Sequence, residues 1–89
     1  MSEIEINALA NRILKDIVFF DKNIARINKN SAKIYGDEIS DIIEMSLRYR
    51  RDSDFYMKNG DLITSFSCIS YANGLLDAVA RIINGEWNE

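Results

Sequence analysis

Asn73, Asp77 and Arg81 recur at intervals of four, with Tyr71 beside them and Gly74 among them. On a helix this spacing lines an amide, a carboxylate and a guanidinium along one stripe, and the glycine leaves a gap where a small group or another backbone can approach. Such a set offers recognition chemistry: hydrogen bonds and one charge of each sign, suited to a polar pocket or a docking face. A purely structural reading competes with it. Asp77 and Arg81 at i,i+4 form an ordinary helical ion pair worth roughly 0.2–0.5 kcal/mol, and Tyr71 can pack at a core edge. Tyr49 and Asp52 are placed to face the stripe from a neighbouring helix.

Arg48, Arg50 and Arg51 surround Tyr49 and resemble a basic patch interleaved with an aromatic ring. Yet Glu44, Arg48 and Asp52 are spaced by four, as are Arg50, Asp54 and Lys58, which is the pattern of solvated ion-pair ladders. With no histidine in the chain, the commonest general base and the commonest metal ligand are both lacking. A carboxylate-only metal site would need Asp52, Asp54 or Asp77 brought together by facing helices, and their spacing does not demand it. Cys68, the one cysteine, lies on an apolar ridge and reads as a buried structural thiol. Glycine-rich phosphate loops, nucleophile elbows and paired-acid signatures are missing from the sequence. These residues predict neither enzyme activity nor a cofactor nor a metal.

The elements that carry them are helical. The chain has 89 residues, no proline and four glycines, too little punctuation for the short segments of an all-β fold. Ile6, Ile13, Phe20, Ile27 and Ile34 recur every seven positions, with Ala10, Ile17 and Ile24 on the adjacent ridge. This predicts an amphipathic helix over about 3–32, with Ser2 and Glu5 as a capping box, Arg12, Lys15, Lys22, Arg26, Lys29 and Lys33 on its outer face, and a stop between Lys29 and Tyr35. Gly36 reads as the stop signal and Asp37 as the cap of a second helix over about 38–59, its inner face formed by Ile39, Ile42, Ile43, Ser46, Tyr49, Ser53 and Tyr56. Gly60 and Asp61 repeat the device before a third helix over about 62–84. Its ridges Leu62, Phe66, Ile69, Leu76 and Ile83, and Ser65, Cys68, Ala72, Leu75 and Val79, call for contact with both other helices. Gly85 ends it, and Trp87 in the short tail is expected on the bundle end or in an interface. The short connection at Gly60 makes helices two and three antiparallel neighbours. The fold expected is an all-α, antiparallel up-down-up three-helix bundle, a single domain over 1–89.

Composition bounds the partners. At 47% hydrophobic and 28% charged the chain falls in the folded range. A net charge of -3 and a pI near 4.9 argue against a general nucleic-acid binder, because phosphate neutralisation needs a basic face. The N-terminus lacks a signal-peptide pattern and no uninterrupted apolar run reaches about 20 residues, so a cytoplasmic protein without membrane contact is expected.

Tyr49, Asp52, the turn Gly60-Asp61, Phe66, the string YANGLLDA from Tyr71 to Ala78 and Arg81 carry a resemblance over roughly 45–81. This half of the chain resembles a small, mostly archaeal family of uncharacterised proteins, the domain of unknown function DUF357. Ser46, Ser53 and Ser65 stand where the family's pattern often has alanine, and Val79 where it has glycine. The resemblance implies a compact three-helix bundle and no established activity. A more distant likeness, to helical nucleotide-binding and ribonuclease domains with a similar hairpin, founders on their arginine-histidine pair. The expectation is a non-enzymatic interaction or assembly module, as a homodimer or with another protein. The alternative is a small-ligand or nucleotide-binding module at Tyr71, Asn73 and Asp77.

Overall fold

The computed structural model describes residues 1–27 and 35–84, and these form three α-helices packed against one another. Helix α1 spans Glu3–Arg26. It begins at the expected capping box, in which the Ser2 hydroxyl accepts from the Glu5 N–H and the Glu5 carboxylate accepts from the Ser2 N–H, each at 3.1 Å. Ile13, Ile17 and Phe20 are buried. Ile6, expected inside with them, is 42% exposed. It lies beside Leu62 and Ile63 where α3 begins, so no further turn of helix covers it. The helix also stops earlier than its periodicity predicts. Ile27 leaves helical geometry at ψ 118 while its N–H bonds to the Ile24 carbonyl, and its side chain packs back onto the core instead of extending the helix. The expected stop between Lys29 and Tyr35, the core position of Ile34, and the roles given to Gly85 and Trp87 lie outside the described residues, Tyr35 excepted.

Helix α2 spans Asp37–Lys58, and its N-cap is Gly36 at φ 101. Asp37 was the expected cap; it is instead the first helical residue, and no side chain caps this end. The half-helical position requires a backbone angle that only glycine adopts without strain, so the glycine takes it. Asp37 and Glu38 then lie in the first turn, where the helix dipole favours their charge.

The second turn follows the sequence more closely. Gly60 at φ 80 donates to the Met57 carbonyl at 3.1 Å and Asp61 donates to the Tyr56 carbonyl at 2.9 Å, the paired bonds of a Schellman stop. Asp61 then caps α3, Leu62–Asn84, by accepting from the Thr64 N–H at 3.1 Å.

Helix α3 is the common wall of both interfaces. Against α1 it buries Ile69, Ala72 and Leu76 on Ile13, Ile17 and Phe20. Against α2 it sets Val79 on Ile39 and Ile43. Ser53 and Ser65 link these helices: each hydroxyl donates to the other residue's carbonyl, at 2.9 and 2.7 Å, and both residues are fully buried. Helices α1 and α2 are joined by Arg50, whose guanidinium grips the Asp21 carboxylate with two bonds of 3.0 Å. The Cα radius of gyration is 14.5 Å against about 12 Å for a rounder domain of this length. Long helices side by side give an elongated body.

From Leu62 to Ile83, α3 is long and apolar enough, by length and composition, to cross a membrane, with a mean hydropathy of 1.2. This revises the expectation that no segment would qualify: serine, threonine and tyrosine interrupt the apolar run without lowering its average much. The same helix packs against two others and carries the Asp77 and Arg81 charges, as the core helix of a bundle does.

Candidate functional site

The four residues of the sequence stripe do not share one surface. Tyr71 turns toward α2, where its ring centre lies 4.6 Å from that of Tyr49 at a tilt of 55°. Tyr49 and Asp52 line a shallow depression with Met45 and Arg48 on α2. This brings Tyr49 to Tyr71 as expected, with Asp52 in Tyr49's depression and neither Asn73 nor Asp77 lining it.

Asn73 turns the other way, toward α1. Its Nδ2 donates to the Asp16 carbonyl at 3.1 Å, which fixes the amide between the two helices. Its Oδ1 is buried and has no hydrogen-bond partner among the described residues. Asp77 is one turn on and pairs with Arg81 at 3.0 Å, with side-chain exposures of 63% and 44%. At that exposure the pair contributes between zero and about 1 kcal/mol, as the structural reading requires.

Between α1 and α3 these residues border a groove of about 250 Å³. Asn73, Leu76 and Asp77 form its α3 side, and Phe19, Asn23 and Arg26 its α1 side. Sequence reasoning missed the α1 contribution. Arg26 was assigned to the solvent face, and Phe19 and Asn23 had no role. A signal was present, since positions 19, 23 and 26 fall on one helical face and Phe19 lies off the core ridge of Ile13, Ile17 and Phe20.

Of the arginine cluster of α2, Arg50 is taken up in ion pairs. Arg50 reaches Asp54 at 3.6 Å and Lys58 reaches Asp54 at 3.8 Å, so that ladder forms. Arg50 spends its best geometry on Asp21 of α1, and this bond holds the guanidinium above its ordinary pKa. Among the described residues no ion pair joins Glu44, Arg48 and Asp52, the second ladder expected. Cys68 is partly rather than fully buried. Burial, and after it the Asp52 and Asp61 charges, raise its pKa, so the thiolate is disfavoured and the residue is a poor nucleophile. No group of three or more His, Cys, Asp or Glu that could hold a metal occurs among the described residues.

The model of a family described as a protein of unknown function, DUF357, matches residues 15–84. The chain belongs to the DUF357 family. The match starts within α1, well before the half of the chain in which the resemblance is legible by eye. DUF357 therefore spans both walls of the groove, Phe19, Asn23 and Arg26 as well as Asn73 and Asp77. Comparison with curated proteins finds no match.

Proposed function

We propose that this DUF357 protein is a non-catalytic interaction module that docks on a protein surface through the outer face of α1, with a second copy of itself as the first partner to test. One observation carries the reading. Leu14 and Val18 are neighbours one turn apart on the outward side of α1 and are 50% and 52% exposed, and Ile4, 82% exposed, lies on the same side beyond Asn7 and Asn11. Single exposed apolar side chains are ordinary, but an adjacent half-exposed pair such as Leu14 and Val18 is a surface that association would cover. The absence of histidine weighs against acid-base chemistry at this face.

The arrangement behind that face is an up-down-up bundle. Its support is the order of the contacts: Tyr49 meets Tyr71 and Ser53 meets Ser65, opposite directions along α2 and α3. Arg12 lies over Phe66 and Asp16 meets Asn73, the same direction along α1 and α3. A cytoplasmic module without membrane contact fits a chain whose apolar α3 buries Ile69, Ala72, Leu76 and Val79 against two partner helices and carries the Asp77 and Arg81 charges.

Sedimentation velocity over a range of concentrations tests the proposal. The wild type is expected to pass from monomer to dimer as concentration rises, and the pair Leu14→Glu with Val18→Glu to remain monomeric with an unchanged helical circular dichroism spectrum. A wild type that stays monomeric throughout, or a variant that dimerises equally, removes the second copy as the partner of this face.

A further inference from the structure

We infer that the groove between α1 and α3 is a binding site for a small organic carboxylate with a planar or apolar body, independently of any protein partner on the outer face of α1. The charge balance comes first. Arg26 forms no ion pair among the described residues, whereas the other charge on the groove wall, Asp77, is bridged by Arg81. The cation left to a ligand is a guanidinium, a planar fork of donors that matches a carboxylate in two parallel hydrogen bonds. Asn23, one turn before Arg26 on the same face of α1, adds an amide donor to that end of the groove.

Apolar surface supplies the rest. Phe19 lines the groove with 58% of its surface exposed, Ala80 adds a methyl on the α3 side, and Leu76, 2% exposed, closes the bottom with little surface of its own. An exposed ring on one wall is a surface against which a flat apolar body gains from leaving water, with the polar groups setting its orientation. Asn73 is held in the opposite wall by the Asp16 carbonyl, so this side is positioned before any ligand arrives. Size limits the class further. The groove's volume of about 250 Å³ has room for a ring-sized acid.

The test is titration of the full chain with three probes, benzoate, acetate and inorganic phosphate, followed by NMR of the side-chain amides of Asn23 and Asn73. Benzoate is expected to shift both resonances saturably and to bind at least tenfold more tightly than acetate or phosphate. Arg26→Gln, a substitution at an exposed position in the last turn of α1, is expected to weaken benzoate at least tenfold without changing the thermal melt. Phe19→Ala should bring benzoate down to the level of acetate. No saturable shift with benzoate, equal binding by Arg26→Gln, or phosphate binding more tightly than benzoate would each overturn the assignment.

Discussion

Asn73 joins α1 to α3 with half of its amide and leaves the other half unmatched. Its bond to the Asp16 carbonyl is a typical intramolecular hydrogen bond, worth about 1 kcal/mol, while its buried Oδ1 without a partner costs about 1–3 kcal/mol. The two effects oppose each other. Asn73→Ala is accordingly expected to leave the unfolding free energy between unchanged and about 2 kcal/mol higher in a urea titration, where removal of a fully satisfied interhelical bond would lower it. A clear loss would mean that the oxygen finds a donor in solution. At this scale the sequence was legible where the geometry is local. The Asp77 and Arg81 pair follows from a spacing of four, and so does the Arg50, Asp54 and Lys58 ladder. Tyr71 and Asn73 were grouped against that same geometry: two positions along a helix are about 200° apart around its axis, and the rings and amides diverge accordingly.

Helices α2 and α3 meet through hydroxyls where bundles commonly use alanine or leucine. Ser53 and Ser65 exchange two bonds to each other's carbonyls, and their oxygens are 3.0 Å apart. Either serine alone replaced by alanine loses its own bond and strips the remaining hydroxyl of a neighbour, a cost of about 1–2 kcal/mol. Replacing both removes the polar atoms together. The double variant Ser53→Ala with Ser65→Ala is therefore expected to lie closer to wild type than the sum of the singles, a coupling that chemical denaturation of all four proteins would measure. Additive losses would show that the two hydroxyls act independently. The inward placement of both serines was readable from the period of each helix, but their pairing was not, because register between helices depends on the turn at Gly60 and on side-chain fit. The end of α1 was unreadable for a related reason: the heptad continues through Ile27 and Ile34, but Ile27 gains more by folding back on the core than by prolonging an outward helix. Arg26, Asn23 and Phe19 escaped notice because a groove belongs to two helices, and one-dimensional periodicity describes each helix alone.

The whole molecule is acidic, and two of its carboxylates cap helices. Glu5 is held below its ordinary pKa by the Ser2 backbone N–H and then by the Ser2 hydroxyl; Asp61 is lowered by the Thr64 side chain and then by its backbone N–H. A folded-state pKa below the unfolded one gives stability that is complete above the ordinary carboxylate range and disappears as pH falls through and below it. Urea midpoints are expected to hold near neutrality and to drop below about pH 4. In Asp61→Asn, which keeps a capping side chain that does not titrate, the drop should be smaller. An identical acid loss in that variant would exclude Asp61 as a contributor. The Gly60 turn has one further consequence, which concerns the order in which the chain assembles. Ser53 and Ser65 are 12 positions apart, and Asp16 and Asn73 are 57 apart. For a flexible chain, closing the longer of these loops costs about 1.4 kcal/mol more in entropy than closing the shorter. The contact between α2 and α3 at these serines thus closes at lower entropic cost than the contact of Asp16 with Asn73, while Arg50 and Asp21, 29 positions apart, tie α1 to α2 over an intermediate span.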